Sequence, residues 1–408
     1  ARLVAHAAAR SPYYGRVLRG LEGAALADLP VLTKDNLVER FDELTIDRSL
    51  HRTEIETFLQ SAPAKARYRG RYRVAASSGS SGRPGIVVFD AAEWAGLLAA
   101  SVASRALAGS PSGRSAKVGS PSPWHLSAQL GATLEDPRRP ALRLPVTTAL
   151  PELLAALDRF GPAVLTAYPS VLGMLAEAQR AGQLHLALTH VFGGGEVLTA
   201  ATRRRVSEVW GAAVFDQYVT TEAGAIAGGC PAEDGMHVID DHVIVEVVDE
   251  RRRPAPAGTF GAAVLVTVLS SRTLPLIRYE LADHLRLALD PCACGRPGPR
   301  IAAIAGRERE VLRLAGPGGP VAVHPAVLTS VLDVAPVAGW QVHQQGPRLR
   351  VLVVGPAAGF AADDLGRAVL AALTEMGVTE VDVDVEVVDI VPRRAGGKAA
   401  RFVVDGPT

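Results

Sequence analysis

The chain has 408 residues, 48% of them apolar, and its 43 Lys and Arg against 42 Asp and Glu leave a net charge of +1. So even a balance offers no electrostatic case for a nucleic-acid partner or an anionic membrane, and no apolar run approaches the ~18 residues that a membrane-spanning helix needs. Three cysteines, an odd number in a long chain, argue against a disulfide framework and for a reducing, cytoplasmic setting. In chain order, the Ala- and Arg-rich start looks like a targeting peptide. Ser11-Pro12-Tyr13-Tyr14 and Leu29-Pro30-Val31-Leu32-Thr33-Lys34 nevertheless read as folded protein, so the start is kept in the domain. A strand-like run, Tyr72–Ala76, leads into Ser77-Ser78-Gly79-Ser80-Ser81-Gly82-Arg83-Pro84. Small and hydroxylated residues after a strand bring N–H groups and hydroxyls around phosphate oxygens, though such a stretch alone is equally a surface linker.

Helical periodicity follows at Glu93–Leu107, Pro151–Phe160 and Ser170–Ala181, with β-rich runs at Ala116–Gly119, Ala163–Ala167, Thr189–Phe192 and Val214–Asp216. From His242 the pattern changes to long alternating runs, Val243–Asp249, Ala262–Leu269 and Leu285–Asp290, which suit a sheet of sequential hairpins. A boundary falls near Gly306-Arg307. Beyond it a helix at Pro325–Asp333, strands at Trp340–His343 and Leu349–Val354, a helix at Ala361–Met376 and a strand at Val381–Val388 make a small α+β unit. The expected fold is α/β (mixed α+β). A large N-terminal domain over 1–305 has sheets flanked by helices and a β-rich subdomain, and a small mobile C-terminal domain covers 306–408.

Familiar nucleotide fingerprints are missing. No G-x-x-x-x-G-K-[ST] occurs, and neither Gly193-Gly194-Gly195-Glu196 nor Gly316-Pro317-Gly318-Gly319 has dinucleotide-fold spacing. Tyr218-Val219-Thr220-Thr221-Glu222 instead follows the Val214–Asp216 run, at a strand end where ligands collect. A tyrosine ring stacks on a base, a threonine hydroxyl holds a phosphate and a glutamate ligates Mg²⁺; alone, the same residues read as a turn with a helix N-cap and first-turn Glu. Asp283 has the two acceptor oxygens that a ribose diol wants, or is a turn aspartate. Pro123-Trp124-His125 offers an aromatic wall and an imidazole, or a structural histidine. Near the end of the chain, Lys398 stands in Arg393-Arg394-Ala395-Gly396-Gly397-Lys398, where a Gly-Gly tip lets a lysine reach into another domain.

Cys292-x-Cys294 falls on a turn after a strand, and Cys230 precedes His237 by seven residues. All the cysteines plus one histidine form a Cys₃His set suited to structural zinc; three unrelated thiols are the alternative. His242 is the other choice for the fourth ligand.

These pieces in this order resemble the adenylate-forming superfamily of acyl-CoA synthetases and ligases. Pro275-Leu276-Ile277-Arg278-Tyr279, Cys292-Ala293-Cys294-Gly295-Arg296, Arg300-Ile301, Gly306-Arg307 and the early Leu29–Lys34 segment make the chain similar to its phenylacetate–CoA ligase branch. The resemblance implies ATP-dependent activation of a small, aromatic carboxylic acid to an acyl-adenylate, then transfer to a thiol, coenzyme A first. By motif, it implies that Ser77, Ser78, Gly79, Ser80, Ser81 and Gly82 cradle the β- and γ-phosphates. Gly194, Gly195 and Glu196 would border the adenine, Asp216 would stand where an asparagine often contacts it, and Tyr218 would stack on it. Thr221 would hold the α-phosphate, Glu222 the Mg²⁺ and Asp283 the ribose. Arg307 joins the ATP-binding set at the hinge, His125 gates the pocket, and Lys398 bridges carboxylate and α-phosphate. Arg83, Val219, Asp216 and Glu280-Leu281-Ala282 depart from the family's usual residues, and Glu308-Arg309-Glu310 lacks its paired aspartates. No catalytic group is lost, but the departures leave the acceptor open to a carrier-protein thiol, an amine or nitrite. A nucleotide-binding homologue without catalysis is a further alternative, and a second copy of the chain is kept open as a partner.

Overall fold

A computed structural model describes the chain except at residues 64, 78–83, 110, 135, 137, 139, 233–234, 308–310, 324, 394–398 and 405–408, with backbone alone at 306, 307, 322, 325, 326 and 330. Its helices and strands alternate as mixed α and β layers, in two compact units. Ala1–Pro111, Ser120–Pro140 and Phe215–Ile304 form the first; Ser112–Gly119, Ala141–Val214 and Ala305–Thr408 form the second.

In the first unit, polar side chains fix where helices start. Thr33 and Asn36 exchange side-chain-to-backbone bonds in a capping box that opens Lys34–Glu39, and Asp90 with Glu93 does the same for the helix Ala91–Ala106. The Leu29–Lys34 segment has a job beyond that cap. Leu32 N–H donates to the Arg278 carbonyl at 3.1 Å and Glu280 N–H to the Leu32 carbonyl at 2.9 Å, which lays Leu32 as a parallel bridge beside Tyr279. Arg278 itself has φ of 49°, a backbone that few side chains adopt. It is held there by a buried ion pair to Glu246 at 3.2 Å and by its guanidinium bonds to the Leu29 and Arg252 carbonyls.

Arg73–Ala76 and Ile86–Phe89 form an antiparallel hairpin. Ala213–Thr220, Gly224–Gly229, Met236–Val238 and Arg300–Arg307 pair antiparallel in that order, with Asp283–Leu287 at the edge. Of the runs expected to form sequential hairpins, Val243–Val248 and Ala263–Val268 do pair, but their third strand is Tyr279–Leu281; the first half of the expected Leu285–Asp290 run falls in Asp283–Leu287, which belongs to the other sheet. The inward faces of the three-stranded sheet join the Leu97, Ile226 and Tyr279 core.

The second unit holds a parallel array ordered His190–Gly194, Val164–Ala167, Ser115–Gly119, Ala141–Pro145. It is packed with Leu153, Leu157, Val171, Leu175 and Val206 from helices Leu150–Phe160, Pro169–Arg180 and Ala200–Trp210. Its C-terminal part has the hairpin Leu312–Gly316/Gly319–Val323, helices Pro325–Leu332 and Ala362–Glu375, and a sheet ordered Asp382–Val387, Arg348–Pro356, Val337–Gln345, Phe402–Val404. The last of these strands lies beyond Lys398, where no strand is expected from the sequence. Among the described residues no helix is long and apolar enough to cross a membrane.

Candidate functional site

Of the expected nucleotide residues, the first unit brings Tyr218 against Asp283, and Glu222 close to Ser77 at Gly85. The strand expected at Val214–Asp216 runs on to Thr220, so Asp216 and Tyr218 sit within it. Thr221, Glu222 and Ala223 then turn the chain into Gly224–Gly229, which makes a hairpin of what could equally have opened a helix. Gly224 permits that turn: its φ is 72°, and a Cβ there would meet Leu97 Cδ2 at 2.5 Å. The ladder slips register between Tyr218 and Val219, a bulge that re-aims side chains beside it.

Tyr218 is buried, and its hydroxyl donates to Asp283 Oδ2 at 2.9 Å. The aromatic face and the carboxylate expected to take base and ribose are thus neighbours, although 65 positions apart. Asp216 spends Oδ1 on the N–H of Gln217 at 2.9 Å.

Glu222 has a partner that sequence reasoning missed. The Tyr279 hydroxyl donates to its Oε1 at 3.3 Å. Burial first, and then the Glu222 charge, pushes the phenol far above its ordinary value, so it keeps its proton as a permanent donor. Tyr279 stands in the Arg278-Tyr279 motif, and that motif was its only signal. Beside this pair, a Cβ on Gly85 would lie 3.3 Å from Glu222 Oε1 and 3.3 Å from Ser77 Oγ. The absent side chain lets the Glu222 carboxylate and the Ser77 hydroxyl close in on the same stretch of backbone, where a Cβ would crowd both.

Ser77 also closes the loop. Its N–H donates to the Gly85 carbonyl at 2.9 Å, and its Oγ accepts the Gly85 N–H at 2.8 Å. These bonds add one rung beyond the Ala76–Ile86 pair and pin the ends of the serine–glycine segment. Ala76 N–H donates to the Trp124 carbonyl at 3.0 Å, which ties the same strand to His125. His125 caps the helix Leu126–Thr133, with Nδ1 2.9 Å from Ser127 Oγ. Thr221 lies half-buried in the hairpin turn. Ser78, Gly79, Ser80, Ser81, Gly82 and Lys398 lie outside the described residues, and Arg307 ends the strand Arg300–Arg307 with its backbone alone described.

In the second unit, Gly194 ends the strand His190–Gly194 and Gly195 follows at φ of 79°, a conformation that suits glycine. Glu196 comes next, and its carboxylate accepts two backbone N–H groups, from Ser170 at 3.0 Å and Ala399 at 2.7 Å. Its side chain therefore serves a junction inside this unit, beyond the expected adenine-bordering role of the segment.

The cysteines converge as their spacing suggested. One ligand atom each of Cys230, His237, Cys292 and Cys294 lies within 4.8 Å of all the others. The Cys230 and Cys292 sulfurs are 3.6 Å apart, and Cys294 Sγ is 3.2 Å from His237 Nε2. Four ligands at tetrahedral angles and zinc bond lengths would stand ~3.5–3.8 Å from one another, so the donor set and its spacing fit that ion. Cys294 alone of the four is exposed. Burial pushes the Cys230 thiol up to about 11, while a backbone N–H of Arg296 draws Cys294 below its ordinary value. His242, the alternative ligand, gives Nε2 to the Ala223 carbonyl at 2.7 Å.

Residues 77–266 match the model of a family described as AMP-binding enzyme. The phenylacetate–coenzyme A ligase of Thermus thermophilus is 32% identical over 215 residues, 50% of this chain and 47% of that protein. That of Escherichia coli is 30% identical over 258 residues, 60% of this chain and 57% of that protein. The chain spans about half the length of the curated relatives it matches. A crystal structure of 2-hydroxyisobutyryl-CoA ligase in the postadenylation state has a TM-score of 0.76 at 21% identity, covering 99% of this chain and 87% of that one. That likeness bears on the fold, and mixed α/β architecture is common to both. The motif-based resemblance to the adenylate-forming superfamily, on its phenylacetate–CoA ligase-like branch, is borne out by these matches.

Proposed function

We propose that this chain, with its AMP-binding segment similar to phenylacetate–coenzyme A ligases, activates a small aromatic carboxylic acid with ATP and passes the acyl group to coenzyme A. The observation that carries the reading is the pairing of Tyr218 with Asp283 beside a Glu222 carboxylate held by Tyr279. Base, ribose and metal-bound phosphate each find a group of the right chemistry, on a strand, at a strand start and in the turn that follows Thr220. Asp283 takes the ribose hydroxyls and Tyr218 gives the base a rigid face. Glu222, drawn close to the Ser77 hydroxyl at Gly85, is the residue to hold Mg²⁺, and the ion would supply charge neutralisation for the phosphates. Thr221, from the same turn, donates to the α-phosphate. In the reaction an oxygen of the acid's carboxylate bonds to the α-phosphorus while the bond to pyrophosphate breaks. Lys398 meets the negative charge that builds there, and a preorganised donor of that kind is worth ~3–4 kcal/mol. A thiolate then attacks the acyl carbon and AMP leaves.

Pyrophosphate release from ATP in the presence of a panel of aryl and aliphatic acids tests the first half, and the product mass after adding coenzyme A tests the second. Release that depends on an acid, followed by an acyl-CoA mass, is the expected result. Absence of acid-dependent release would leave a nucleotide-binding protein; release without an acyl-CoA product would move the acceptor to an amine or a carrier thiol.

The Cys230, His237, Cys292 and Cys294 cluster supports a second, structural role, as a zinc knuckle fastening the turn at 292–294 to the strand Met236–Val238.

A further inference from the structure

The helix Arg52–Ser61 opens without a side-chain cap from its own N-cap residue, His51. Asp42 supplies one from outside the helix. Its Oδ1 accepts the Arg52 N–H at 2.9 Å and its Oδ2 lies 3.0 Å from His51 Nδ1, which fixes the backbone at Arg52. The Arg52 side chain is only 8% exposed, unusual for a charged group. Its Nε lies 3.0 Å from Glu56 Oε1, its Nη2 donates to the Pro84 carbonyl at 2.8 Å, and its Nη1 is buried with no partner among the described residues. Glu56 is 38% exposed, so water screens its pairing with the guanidinium. The Pro84 carbonyl is the contact that gives the buried charge a use.

That carbonyl belongs to a peptide unit whose other end is also held, because the Gly85 N–H donates to Ser77 Oγ at 2.8 Å. A charge-assisted bond to the carbonyl polarises the amide and strengthens its N–H as a donor. Gly85 is also where Ser77 and Glu222 come together, since a Cβ there would lie 3.3 Å from each. Arg52, Ser77, Gly85 and Glu222 all belong to the first unit.

We propose that Arg52 is a positioning residue for nucleotide binding: its buried guanidinium grips the Pro84 carbonyl, clamps the Pro84–Gly85 peptide onto Ser77 and so fixes the Ser77 hydroxyl beside Glu222. The nucleotide half of this inference rests on the ligase reading; the clamp itself does not.

Hydrogen exchange at the Gly85 amide, in the protein without ligands, reads the clamp directly. Arg52→Met keeps the apolar stem and removes the charge. It should speed that exchange about 10-fold or more, the range for losing one bond to a charged group. Arg52→Lys, which keeps the cation but loses the planar fork, should fall between Arg52→Met and the native protein. In acid-dependent pyrophosphate release, the half-saturating ATP concentration should rise about 10- to 100-fold in Arg52→Met, while that for the acid stays within about twofold. Arg52→Ala opens a cavity, so millimolar guanidinium should restore its ATP affinity; Arg52→Met fills the same space and should not respond. Unchanged Gly85 exchange would overturn the clamp. An equal rise for ATP and acid, or an Arg52→Ala variant that folds and ignores guanidinium, would reduce Arg52 to a fold residue. Should Arg52→Ala fail to fold, the exchange and ATP dependence of Arg52→Met and Arg52→Lys decide. If the native protein activates no acid, the ligase reading falls while the exchange result still decides whether the clamp exists.

Discussion

Tyr279 is the residue through which the early part of the chain reaches Glu222, the proposed Mg²⁺ ligand. Leu32 bridges to it, Arg278 anchors the backbone before it, and its hydroxyl sets the Glu222 carboxylate. Tyr279→Phe should therefore keep ATP binding without Mg²⁺ while raising the Mg²⁺ concentration for half-maximal adenylation about 3- to 10-fold, near the loss of one ordinary hydrogen bond. Glu222→Gln should abolish Mg²⁺-dependent turnover, and Asp283→Ala should weaken ATP mainly in calorimetric affinity. Normal turnover in either would remove that residue from the site. A second tyrosine pair has a pH signature. The Tyr72 hydroxyl donates to Asp47 at 2.6 Å, and with the Ser49 N–H it lowers that carboxyl from 3.8 to about 2. A depressed folded value means the stabilisation is present above the unfolded value and lost as pH falls through the folded one. The melting-temperature gap between native protein and Tyr72→Phe should hold at neutral pH and shrink between about pH 4 and pH 2. A gap that widened on acidification would contradict the assignment.

At the scale of elements, the proposed zinc knuckle at Cys230, His237, Cys292 and Cys294 makes a separable prediction. Purified protein should carry about one equivalent of zinc, and Cys292→Ser should lower the melting temperature while leaving substrate constants unchanged. A metal-free preparation of full stability would rule the ion out. The knuckle also shows what the sequence could reveal. Cysteine spacing and turn chemistry are local, so Cys292-x-Cys294 was legible, and its meeting with Cys230 and His237 followed from donor chemistry. Strongly periodic helices such as Ala91–Ala106 and Pro169–Arg180 were legible for the same reason. The short helices before residue 62, the hairpin Leu312–Gly316/Gly319–Val323 and the strand Phe402–Val404 were not, because tertiary packing and neighbouring strands, rather than local period, stabilise them. The Thr221-Glu222 turn was ambiguous in sequence, and its hairpin form rests on a distant partner, Leu97, packed against Gly224.

For the whole molecule, Lys398 carries the sharpest expectation. Lys398→Ala should slow adenylate formation by the ~10²–10³ that loss of one preorganised donor costs, and still transfer acyl groups from synthetic acyl-adenylate at nearly the native rate. Equal impairment of both steps would make the lysine structural. The way the second unit is threaded has a consequence of another kind, in the order of its making. Its parallel array begins with Ser115–Gly119, yet its far sheet is finished by Phe402–Val404 pairing alongside Val337–Gln345, with stretches of the first unit synthesised in between. Contacts so distant along the chain form slowly, since long loops must close before they are rewarded. A nascent chain emerging from the ribosome therefore presents Glu196 and the helix end at Ser170 well before Ala399 exists to join them. During that interval the half-built unit is a natural client for chaperones, and a chain stopped at Ile304 would keep those surfaces bare for good.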